Sequence, residues 1–134
     1  MKNFVGLTMI ILSTLTFSVN CTSSLTFDER FARKAKRMER DFVNTEEEGI
    51  RCVDFSVEEK NITIKYVILN YSAGQLNQVK FAHAMKEYMV SKTCRDRDIR
   101  YLLENGVVFK YQYFTNDQII LNETVMDSAF CEYE

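Results

Sequence analysis

Residues 4–17 read FVGLTMIILSTLTF, fourteen positions without a charge, and this run decides how much of the chain is left to fold. Lys2 supplies one positive charge before it, and no further charge follows until Asp28. Small and polar residues, Ser18-Val19-Asn20-Cys21-Thr22-Ser23-Ser24, close the segment. A positive start, an apolar middle and a small polar end are the order of a bacterial-type export signal. The run is shorter than the ~20 residues that cross a bilayer core. Residues 1–20 are therefore expected to be a removable signal peptide, with an uncleaved anchor as the competing reading.

Cys21 stands where a lipoprotein signal places its acylated cysteine, although Asn20 is larger than the Gly, Ala or Ser usual before it. Two fates are open for it. Acylation would hold the protein on a membrane, each buried methylene contributing roughly 0.8 kcal/mol. Ordinary cleavage nearby would discard it.

Residues 21–134 are expected to form a single domain, since about 113 residues after Cys21 suit one modest core. An apolar fraction of 46% with 27% charged residues is that of a globular chain, not a disordered one. Without Lys2, sixteen basic residues stand against nineteen acidic ones. A mildly acidic domain lacks the concentrated positive face that nucleic-acid binding needs.

Periodicity orders the elements. Phe31, Ala35, Met38 and Phe42 fall on one face of a helix over residues 25–45, with Ser24 or Thr26 as its cap. Its other side carries Arg30, Arg33, Lys34, Lys36, Arg37 and Arg40, partly neutralised by Asp28, Glu29, Glu39 and Asp41. That side reads either as a solvated face with ion pairs or as a basic surface near anionic lipid. The acidic triplet Glu46, Glu47 and Glu48 with Gly49 reads as a solvated turn. Strands follow over 50–57, where Val53, Phe55 and Val57 alternate, and over 61–69, where Ile62, Ile64, Tyr66 and Ile68 alternate. Helices are expected over 76–93 and 96–104, the second ended by Asn105-Gly106. Strands over 107–114 and 118–125 form a second hairpin, and residues 126–134 are a short tail. Proline is absent, so Gly, Asn, Asp and Ser must make the turns. The order α-β-β-α-α-β-β argues for an α+β domain, a small antiparallel sheet of about four to five strands covered by helices.

Four cysteines, Cys21, Cys52, Cys94 and Cys131, leave three once Cys21 is acylated or removed. Joining Cys94 at a helix end to Cys131 pins the tail and is the favoured pairing. A bond from Cys52 to either of them is the competing one. An unpaired Cys52 reads as a small buried core residue. His83 is the single histidine, and one histidine with no clip-spaced cysteines does not make a usual zinc set. Four glycines are too few and too scattered for a phosphate loop. No cofactor, metal or catalytic residue is therefore assigned, and the chain reads as a binding protein, not an enzyme.

The segment KEYMVSKTCRDRDIRYLLENGVVFKYQYF, followed by a second strand and Cys131, resembles the C-terminal half of the beta-type pilotins of type II secretion. Cys94, Asp96, Ile99, Leu103, Gly106, Phe109, Tyr111 and Cys131 carry the likeness. Arg97 stands where that family often has Pro, and Cys52 is extra. The resemblance implies a Cys94–Cys131 disulfide and an acyl group on Cys21. It implies an exported, periplasmic lipoprotein anchored in the outer membrane that grips a C-terminal segment of a secretin subunit and pilots it there. Two competing classes are a periplasmic or surface inhibitor or immunity-type protein with a different partner, and a small exported enzyme, against which an inconsequential His83→Ala would count.

Overall fold

The computed structural model describes residues 24–132; the expected signal peptide and Cys21 lie outside the described residues. Thr26 starts helix α1 (Phe27–Phe42) through a capping box. Its hydroxyl accepts from the Glu29 amide at 3.3 Å, and the Glu29 carboxylate accepts from the Thr26 amide at 2.9 Å. Two orphan amides are thereby satisfied at once. Phe31 and Ala35 bury the inner face of α1, while Phe42 is 38% exposed and stacks its ring on Phe55 at 6.5 Å.

A short strand β1 (Glu46–Glu47) then doubles back onto β2 (Ile50–Glu58). Two residues of the acidic triplet are thus strand, and only Glu48 lies in the turn. The reason is local: Glu48 (φ 51°) and Gly49 (φ 78°) both adopt the left-handed region, the requirement of the tight hairpin turn that matches strand twist. An Arg51–Glu46 ion pair at 2.8 Å closes this hairpin.

Strand β2 departs from the alternation that Val53, Phe55 and Val57 suggest. The register skips between Cys52 and Asp54, so Val53 is an extra, bulged residue. The bulge reverses the phase of the strand. Cys52 (1% exposed) and Phe55 face the core, whereas Val53 and Val57 are over 40% exposed. Strand β3 (Asn61–Ile68) follows after a two-residue turn.

The connection from β3 passes through a short 3-10 turn (Ala73–Gln75) into α2 (Gln78–Tyr88). None of its residues is fully buried; Phe81 and Met85 only lean on the core. The helix then widens into a π turn (Met89–Thr93), where the Cys94 amide reaches the Met89 carbonyl at 3.0 Å. An α-turn over the same residues would not turn Met89 and Cys94 inward together; the wider turn buries both.

Helix α3 (Arg97–Glu104) is capped by the Asp96 carboxylate, which accepts from the Asp98 and Ile99 amides at 2.8 and 3.1 Å. It ends in a Schellman turn. The Gly106 amide donates to the Leu103 carbonyl and the Val107 amide to the Leu102 carbonyl, at 3.0 and 3.1 Å. Gly106 has φ 84°, a conformation that favours glycine. Leu102 and Val107, which flank the turn, are almost completely buried.

Strands β4 (Val108–Thr115) and β5 (Ile120–Met126) form the second hairpin, and a 3-10 turn (Ser128–Cys131) ends the described chain. The five strands lie in sequence order in one sheet. It is antiparallel at every junction but one, for β3 and β4 run parallel. The long helical connection returns the chain to the end of the sheet where β3 began, which a parallel pair requires. Among the described residues the fold is therefore α+β, with five strands in a mostly antiparallel open sheet and three α-helices. Ile62, Ile64, Phe109 and Tyr113 on the inner face meet Phe31, Ala35, Met89, Leu102 and Leu103 from the helical layer.

Cys94 and Cys131 are joined in a disulfide, sulfurs 2.08 Å apart, across 37 residues of sequence. The bond ties the π turn to the last 3-10 turn, which packs on α3.

Two outcomes follow from this packing. Phe109→Ala, at a position with no solvent exposure, is expected to cost about 3–5 kcal/mol in urea unfolding, and Val53→Ala at the bulge less than about 0.5 kcal/mol. Equal losses would contradict the bulged register. Reducing the disulfide is expected to lower stability by about 4 kcal/mol, the chain-entropy value for its loop. A Cys94→Ser/Cys131→Ser variant should show the same lowered urea midpoint with and without reductant.

Candidate functional site

Charges on α1 are segregated by helical spacing. Arg30, Arg33, Lys34 and Arg37 follow the i, i+3, i+4, i+7 rule and share one flank. Together with Met38, Asp41 and Phe42 they line a groove of about 480 Å³ that runs beside the start of α3. Lys34 reaches Asp98 there at 2.7 Å. The hydrogen bond from Lys34, and then its charge, hold the Asp98 carboxyl below the usual carboxylate range. That contribution is present at neutral pH and fades as pH falls through the lowered value, and it is small because Asp98 is exposed. Arg30, Arg33 and Arg37 make no ion pair with any described residue. The basic stripe is legible in the sequence; its approach to Asp98, 64 positions away, has no local signal.

The outer face of the sheet is different in kind. It presents Lys65 paired with Asp54 at 3.4 Å, and Gln112 hydrogen-bonded to Glu123 at 2.7 Å. Val125, Ile119 and Ile120 are about half exposed along and just before β5. None of these residues belongs to the core cluster. A smaller hollow of about 80 Å³ lies between α3 and the last turn, beside Cys131.

The remaining chemistry-bearing residues are dispersed. Cys52 is unpaired and buried, and desolvation pushes its thiol above its ordinary value. Its sulfur contacts the Asp54 carbonyl at 3.7 Å. A buried thiol held in the protonated form is a poor nucleophile. His83 is exposed on α2, 3.2 Å from Glu87 one turn on. Tyr66, Tyr111 and Tyr113 form an aromatic layer beneath α2, and burial raises all three hydroxyls above the usual range. Tyr66 stacks on Tyr113 at 5.2 Å, and Phe81 meets Tyr113 edge-on at 5.4 Å. Among the described residues no group of three His, Cys, Asp or Glu is gathered at metal-binding distance. No described helix is long and apolar enough to cross a membrane. Of the residues assigned from sequence, Cys94 and Cys131 are brought together, and Cys21 lies outside the described residues.

Comparison with known proteins gives no match to any protein-family model and none to the curated protein sequences. Solved structures do match. EpsS, the pilotin of the Vibrio vulnificus type 2 secretion system, superposes with a TM-score of 0.64 at 14% identity, over 80% of this chain and 93% of that one. A Pseudomonas aeruginosa protein described as secreted gives 0.58 at 12% identity, over 80% and 98%. AspS, the type II secretion pilotin of Vibrio cholerae, gives 0.53 at 15% identity, over 75% and 98%. At such identities the likeness is one of fold, and it extends well beyond the Cys94–Cys131 half. The chain has the fold of the type II secretion pilotins.

Proposed function

We propose that this protein is a pilotin-like exported lipoprotein that binds a secretin subunit and helps to target it to the outer membrane. The carrying observation is the fold shared with two type II secretion pilotins over at least three-quarters of the chain. In this reading residues 1–20 direct export, Cys21 carries the acyl group, and residues 21–134 are the domain that holds the secretin. A disulfide closing the C-terminal half suits an oxidising compartment such as the periplasm. The lipid commits the protein to the lipoprotein sorting route, and its bound partner travels with it. The role is one of binding, not catalysis.

The Pseudomonas aeruginosa match favours a second reading, because a secreted protein not described as a pilotin has the same fold. An inhibitor or immunity-type protein on this scaffold would have no affinity for a secretin.

Two measurements test the proposal. The intact mass of the membrane-fraction protein is expected to show a chain beginning at Cys21 with a diacyl or triacyl increment. A soluble chain beginning at Thr22 or later would remove the anchor. Immobilised C-terminal peptide of the secretin from the same organism is expected to retain the protein, and free peptide to release it. No retention, with the fold intact by circular dichroism, would turn the assignment to the second reading.

A further inference from the structure

The groove flank of α1 is lined with cations. Arg30, Arg33 and Arg37 point along one side of the helix without ionic partners among the described residues, and Lys34 lies between them. These cations form a stripe about 10 Å long at 1.5 Å per residue, so they do not converge on one point. Asp28 and Glu39 lie on the opposite flank by helical spacing, whereas Asp41 and Asp98 line the same groove. Asp41 is paired with Arg40 at 3.4 Å and Asp98 with Lys34 at 2.7 Å, which leaves the arginines as the unpaired charges of the flank. Over a screening length of about 8 Å, a planar anionic surface on the basic side feels these arginines far more than the carboxylates of the opposite flank. Guanidinium forks match phosphate oxygens two at a time. Met38 and Phe42 add apolar surface at the end of the same groove.

Position in the chain supplies the second argument. Cys21 precedes Phe27, the first residue of α1, by six positions. Six extended residues reach roughly 20 Å. α1 itself is about 24 Å long. A lipid on Cys21 thus keeps the whole helix within about two helix lengths of a bilayer, where a basic flank has an anionic plane to meet.

We propose that the Arg30, Arg33, Lys34 and Arg37 flank of α1 docks on the anionic phospholipid surface of the membrane, laying the domain on the bilayer in a fixed orientation. The tether argument rests on the acylation reading above; the charge argument does not. Docking turns the basic flank towards lipid and leaves the far side of the domain free for a protein partner.

The test uses residues 21–134 carrying Cys21→Ser, which bear neither the apolar run 4–17 nor an acyl group, with vesicles of phosphatidylcholine containing 0 or 40% phosphatidylglycerol. Co-sedimentation is expected only with the anionic vesicles and should fall steeply between 50 and 300 mM salt. Each flank cation contributes roughly a fivefold affinity, so Arg33→Gln/Arg37→Gln should weaken binding roughly thirtyfold. Lys80→Gln/Lys86→Gln, with the same change of net charge on exposed α2, should change it less than about twofold. Thermal melts of both variants control for folding, and neither pair of side chains is buried. Equal loss in the two variants, or binding that ignores phosphatidylglycerol, overturns the proposal. Capture of an acidic helical peptide by the flank with no vesicle binding overturns it too and assigns the groove to a protein. Because no acyl group is present, failure here leaves the acylation and secretin readings standing, and their failure leaves this result interpretable.

Discussion

The parallel pairing of β3 with β4 is the contact on which the rest of the structure depends. It joins two hairpins that have no other direct sheet contact, and it sets Ile62 beside Phe109 and Ile64 beside Tyr111. Those side chains form the middle of the inner face and are the ones the helices cover. The pairing starts where the Val108 amide donates to the Lys60 carbonyl at 2.9 Å, directly after the Schellman turn. Lys60 also reaches the Asn105 carbonyl at 3.3 Å and lies 5.1 Å from the centre of the Phe27 ring. One turn residue thus ties α1, the end of α3 and the sheet together.

The residues that carry the resemblance to pilotins have clear structural jobs. Asp96 caps α3, Ile99 and Leu103 pack it, Gly106 turns the chain, and Phe109 fills the centre. Such a motif specifies a shape. These few positions set the helix end, the turn and the first sheet contact. The motif does not name the partner, since Ile99, Leu103 and Phe109 are spent on the core and Asp96 on its helix cap.

Legibility in the sequence tracked how locally each feature is encoded. Strands β3 and β4 were readable because burial on one face imposes strict alternation at Ile62, Ile64, Phe109 and Tyr113. Both α1 and α3 were readable from period and caps. The phase of β2 was not, because a single bulged residue, Val53, inverts the pattern without changing composition. Strand direction at β3–β4 leaves no trace in periodicity and follows only from the path of the connection. The π turn has the composition of an ordinary helix. Of the candidate groove, the arginine stripe was readable, whereas the Asp98 contact joins residues distant in sequence.

The burial of Cys52 has a consequence for how the chain oxidises. Three cysteines lie among the described residues, and only one pairing builds this fold. Exchange proceeds through the thiolate, and the enclosed Cys52 is held as the thiol. Burial in the folded domain thus acts as a protecting group: it withdraws the third sulfur from exchange with the Cys94–Cys131 bond.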